Sequence, residues 1–132
     1  MINIRLARND EASQIQALLR PDNPLVDELD WSDIYPYWLV AEVDGKIVGC
    51  LQVCLGKPIG RLECLTLAPW LSSHRKGRVL QDLVFAGLAT LRASGAGAAS
   101  GMVSFENRVF KRWLKRHGWL VAYSGNLLVK SL

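Results

Sequence analysis

A chain of 132 residues has room for one hydrophobic core and is too short for two domains. Half of the residues are hydrophobic and 21% are charged, and no apolar run reaches the roughly 18 residues that a membrane span needs. Sixteen basic residues against twelve acidic ones leave a net charge of +4, which favours acidic partners: phosphates on a small cofactor, or a nucleic-acid backbone.

The N-terminal "MINIRLARNDEA" has neither an apolar signal core nor a cleavage site, so a cytoplasmic protein is expected. Residues 2–7 alternate as a half-buried strand does. Asn9 and Asp10 offer a helix N-cap, and Ile15, Leu18 and Leu19 form a helical stripe that ends near Pro21. Residues 21–36 carry three prolines and five acids (Asp22, Asp27, Glu28, Asp30 and Asp33) and read as loop with one short helix. The acids there are either a solvated loop or a binding surface for a cationic amine. Trp31, Tyr35, Tyr37 and Trp38 line a pocket or belong to an aromatic core.

"YWLVAEV" and "KIVGCLQVCL" are strands joined by "DGK", since Asp-Gly suits the positive φ angles of a tight hairpin turn. "RLECLTLA" is a third strand. Cys50, Cys54 and Cys64 lie inside these runs without metal-ligand spacing and read as small core residues.

Next comes "SSHRKGRV", a basic turn before a helix striped with Val79, Leu80, Leu83, Val84, Gly87, Leu88 and Leu91. The helix is expected to begin at Gly77. The first amides of a helix lack intrahelical partners and carry the positive end of its dipole, so this turn is either a solvated basic surface or an anion site. "SGAGAASG" reads as a connector and "MVS" as the strand that grows out of it. In "ENRVFKRWLKRH", Val109, Phe110, Trp113 and Leu114 share one side of a helix, while Arg108, Lys111, Arg112, Lys115 and Arg116 hold the other; Gly118 ends it. That basic face could track a nucleic-acid backbone, but no nucleic-acid motif accompanies it. "WLVAY" and "NLLVKSL" close the chain as a hairpin. The order is β-α-(loop)-β-β-β-α-β-α-β-β, an α+β fold with a mixed, mostly antiparallel sheet and helices on both faces.

This order, "HRKGRV" and "ENRVFKRWLKRHGW" about thirty residues later together resemble the GNAT superfamily of acyl-CoA N-acyltransferases. Of that family's loop Q/R-x-x-G-x-G/A, the marked positions fall on His74, Gly77 and Val79, with one match. On its later helix, N-x-x-A-x-x-L-Y-x-K-x-G-F, stand Asn107, Phe110, Trp113, Leu114, Arg116, Gly118 and Trp119, with Asn107 and Gly118 identical. The resemblance covers nearly the whole chain and implies one domain over residues 1–132.

It further implies acetyl-CoA or another acyl-CoA as co-substrate, no metal, and direct attack by a small-molecule or peptide amine. The pyrophosphate would sit on Arg75, Lys76, Gly77, Arg78 and Val79, beside His74. The pantetheine would pair with Leu65, Thr66 and Leu67, and Asn107 and Phe110 would also meet the cofactor. Glu63, eleven residues before His74, is the expected general base, because an acid isolated among apolar neighbours titrates high. Its alternative is a structural ion pair with Arg61.

Three departures stand out: Leu114 where many members have a tyrosine that protonates the thiolate, Val79 in place of a small residue, and a turn after Pro69 about two residues long for the family. Tyr123 and His117 are substitutes for the tyrosine only by proximity in sequence. These departures leave a second reading open, a CoA-binding or protein-binding module without turnover. Exposed strand edges suggest a homodimer, and nothing suggests a membrane.

Overall fold

The computed structural model describes residues 1–21, 26–28, 37–102 and 107–121. They fall into two compact units, Met1–Gly101 and Met102–Leu132. In the first, β1 (Ile2–Leu6) leads through a 3₁₀ turn (Asn9–Glu11) into α1 (Ala12–Leu19). A second 3₁₀ turn, Val26–Glu28, is the short helix expected in the acidic stretch. Then follow β2 (Trp38–Val43), β3 (Lys46–Cys54), β4 (Ile59–Leu67), the long α2 (Ser73–Ala93) and β5 (Ala98–Gly101). The second unit contributes α3 (Arg108–Arg116). Trp31, Tyr35, most of the acidic loop, Val103, Ser104 and residues 122–132 of the closing hairpin, Tyr123 among them, lie outside the described residues; residues 119–121 are described and form no strand. Among the described residues no helix is long and apolar enough to cross a membrane.

The five strands lie side by side in chain order, antiparallel from β1 to β4, with β5 parallel to β4. Asp44 and Gly45 close the β2–β3 hairpin with φ of 51° and 78°, the two positive angles that the Asp-Gly turn was expected to take.

Alternation divides the sheet into two faces. On one, Trp38, Val40 and Cys50 pack with Ile15 and Leu19 of α1. On the other, α2 lays Val79, Leu83, Val84, Gly87 and Leu91 against the strands. That helix rides close. A Cβ on Gly87 would stand 2.9 Å from both Leu51 and Leu62, and one on Gly60 would run into Leu91, itself buried. Gly60→Ala is therefore expected to destabilise the fold by about 1–3 kcal/mol. Gly77→Ala, on an exposed helix position with nothing within 4 Å, should stabilise it by about 0.5–1 kcal/mol. Urea unfolding of the two variants gives opposite shifts if this packing is right, and like shifts if it is wrong.

Three expectations need correction. α1 takes no cap from the side chain of Asn9 or Asp10; instead Glu11 accepts the Arg8 amide at 2.7 Å, drawn inward by the Arg5 guanidinium. α2 starts at Ser73, four residues before Gly77, because the Ser72 hydroxyl caps it by accepting the Arg75 amide at 3.3 Å. And "SGAGAASG" is not all connector: its second half is β5, whose small side chains let it lie beside Ile59–Leu62, where a Cβ on Gly101 would already stand 3.0 Å from the Leu62 carbonyl.

Candidate active site

The site is built on a fault in β4. Cys50 of β3 pairs with Thr66, yet Gln52 pairs with Glu63, so one residue of β3 faces two of β4, Cys64 and Leu65. This is a β-bulge, and Cys64 takes φ of 56° in it, a left-handed angle that costs a non-glycine residue roughly 1–3 kcal/mol. The bulge is stapled from inside: the Thr66 hydroxyl donates to the Cys64 carbonyl at 3.2 Å, and the Cys50 thiol lies 4.0 Å from the same oxygen. Thr66 thus has a structural role that its place in the strand did not announce.

The bulge sits where the parallel ladder stops. β5 pairs with β4 from Ile59 to Leu62 and no further. Beyond Leu62, β4 runs on to Leu67 without a strand partner on that side among the described residues. Among the described residues no strand pairs with the backbone of residues 63–67 on that side, and an edge of this kind can receive an extended chain. Leu65, Thr66 and Leu67 are half-buried there.

Glu63 precedes the bulge on the α1 face. It is half-buried, and it is not isolated: its Oε1 accepts from Arg61 Nη1 at 3.2 Å. The cationic neighbour replaces the purely apolar surroundings that "LECLTL" suggested. Gln52 stands opposite Glu63, and Cys54 opposite Arg61. Of the three thiols, Cys50 is fully buried, whereas Cys54 and Cys64 are only half-buried, short of the core placement expected. Burial pushes all three up from the ordinary thiol value, and for Cys54 and Cys64 the Glu63 carboxylate adds to it. Such thiols stay protonated near neutral pH and are poor nucleophiles.

At the start of α2 the placement differs from the sequence reading. Lys76 already donates to the Ser72 carbonyl at 2.9 Å, so the main chain of residues 76–79 belongs to the helix ladder. The open amides are those of Ser73 and His74. Val79 is fully buried on the sheet, against Gly49, and does not face solvent. Gly77 is exposed on the second turn. A cleft of about 420 Å³ between Met1–Ile2 and α2 is lined by His74, Arg75, Arg78 and Asp82.

In the second unit, Asn107 caps α3: its Oδ1 accepts the Phe110 amide at 3.2 Å. Phe110 is half-buried with its ring 6.2 Å from Trp113, which stacks on His117 at 4.0 Å. His117 Nδ1 lies 2.8 Å from the Trp113 carbonyl, a helix-end contact. Gly118, with φ of 88°, follows the last turn as expected.

No protein-family model and no curated protein matches the chain. Solved structures do. AAC(6')-Iy, an aminoglycoside N-acetyltransferase solved with a bisubstrate analogue of CoA, superposes with a TM-score of 0.77 over 100% of this chain and 99% of its own, at 19% identity. A transcriptional regulator from Bacillus halodurans C-125 gives 0.77 over 98% and 100%, at 16% identity. N-acetylglutamate synthase from Neisseria gonorrhoeae, solved with CoA and L-arginine, gives 0.71 over 92% of this chain and 28% of that enzyme, at 19% identity. The chain has the GNAT acyltransferase fold.

Proposed function

We propose that both units act as one acyltransferase domain that moves an acetyl group, or a related acyl group, from acyl-CoA to an amine. The observation that carries this is the bulged β4, whose second half has no strand partner on one side among the described residues, followed by the capped start of α2. The first offers main-chain partners to an extended amide-bearing chain, and the second offers open amides to a pyrophosphate. Gly77 adds support. Glycine weakens a helix by about 1 kcal/mol against alanine, and no atom of the described residues uses the space it leaves, which suits close approach by a ligand.

The helix start also revises the loop assignment. Read two residues earlier, the family's marked positions fall on Ser72, Arg75 and Gly77, with the surplus in the turn removed and Val79 released to the core. Ser73 and His74 then supply the amides, and Arg75, Lys76 and Arg78 supply charge.

In the reaction, the amine nitrogen attacks the thioester carbonyl carbon and the C–S bond breaks. The amine proton passes to the Glu63 carboxylate, directly or through water, and the thiolate leaves with CoA and takes a proton. Preformed main-chain donors at the bulge would stabilise the developing oxyanion. One observation favours the second reading, a CoA-binding module: Leu114 stands where the family's thiolate acid is expected. Calorimetric titration with acetyl-CoA beside a thiol-release assay over an amine panel separates the two. Binding with thiol release supports the enzyme, binding without it the module, and no binding removes both.

A further inference from the structure

We propose that the acceptor is an amine that also carries a carboxylate, as an amino acid does, and that Arg61 selects it. This rests on the acyl-transfer reading above and goes beyond it to the substrate class.

The described residues leave the acceptor one direction. Attack takes place at the bulge, so the amine stands over Glu63 and Cys64. Towards Thr66, the α1 face is filled: Cys50 is fully buried with Ile15 and Leu19, and Cys64 packs against that cluster. Among the described residues the face stays open the other way along β4, where Gln52, Cys54 and Arg61 surround Glu63. Whatever is attached to the amine extends over these residues, and Arg61 is the cation among them.

Arg61 is fit for a ligand. Its side chain is 60% exposed, and one nitrogen, Nη1, is engaged with Glu63. Among the described residues Nε and Nη2 have no partner, so one side of the fork is open to a carboxylate, which it matches in shape and charge. Arg61 and Glu63 hold opposite charges 3.2 Å apart on one strand face. An α-amino acid holds its ammonium and carboxylate at a similar separation, in the reverse sense. Laid head to tail, the ammonium meets Glu63 and the carboxylate meets Arg61. A polycationic amine would instead bring its second charge against the guanidinium.

The test is steady-state thiol release with an α-amino acid panel and the corresponding α-carboxamides, using the full chain, Arg61→Gln and Arg61→Lys. The unsubstituted protein should favour the acids over their amides at least tenfold in kcat/KM. Arg61→Gln should erase that preference by lowering kcat/KM for the acids at least tenfold more than for the amides, with the differential loss carried by KM. Lysine should restore part of it. Turnover of the amides by Arg61→Gln shows that this variant is folded. Equal kcat/KM for acids and amides, or an equal loss for both on substitution, overturns the proposal and leaves acyl transfer standing. Absence of thiol release with every amine of the panel would instead overturn acyl transfer, and this proposal with it.

Discussion

Glu63→Gln is expected to lower kcat by about 10²–10⁴-fold while acetyl-CoA affinity stays within about twofold. The carboxamide keeps the size of the carboxylate and can still accept from Arg61, so the strand and the bulge next to it should hold. What it cannot do is take the proton that the ammonium must lose before its nitrogen can attack. The pantetheine and pyrophosphate contacts proposed above are to main chain, which explains why binding should be spared. Thiol-release kinetics and calorimetry on the same preparation check both halves. Unchanged rates would leave Glu63 as the ion-pair partner of Arg61 and nothing more.

The second large effect is on stability. Arg5 on β1 holds Glu11 at 2.6 Å and Glu42 of β2 at 2.8 Å, tying the first strand to the turn before α1 and to its neighbour in the sheet. Glu11 is the buried charged residue among those described, 3% exposed. Its carboxyl is held down at about 2, from an ordinary 4.5, chiefly by the hydrogen bond from Arg5; burial opposes this and the Arg8 amide assists. A carboxyl depressed in the folded state gives stability that is fully present above its unfolded value. That stability is lost as pH falls from about 4.5 towards 2, and it amounts to about 3 kcal/mol. Glu11→Gln should cost about 2–4 kcal/mol at pH 7, because it leaves a partly buried guanidinium short of a partner. Urea unfolding of both proteins from pH 7 to pH 2.5 should show the gap closing with acid. Parallel curves would mean that Glu11 is not the group responsible.

The sequence carried most of the sheet. Asp44-Gly45 between two alternating runs could hardly be read otherwise, and the α2 stripe from Val79 to Leu91 declared its buried face. The site was harder to see. Fixing on Gly77 hid the serines before it, although Ser72 is the residue type that starts helices. The bulge also left a trace: the leucines of the strand fall on an even position at Leu62 and on odd ones at Leu65 and Leu67, a change of parity that an extra residue in the strand produces. Arg61 and Glu63, two apart on one strand, were legible as neighbours; that the guanidinium keeps donors to spare was not, since it depends on what else packs there. Thr66 and Asn107 looked like ligand contacts in the pattern, and both spend an oxygen on the backbone.

The bulge at Cys64 has a consequence for tolerance of substitution. If acyl-CoA is held by amides and carbonyls, as proposed above, the site places few demands on the identity of the side chains around it. Cys64 accepts a backbone angle that glycine or asparagine would take more readily, and it does so because Thr66 and the flanking strands impose it. Shape of this kind is set by the hydrogen bonds of the sheet, so substitutions along β4 that leave Thr66 and the flanking strands in place should leave the bend where it is.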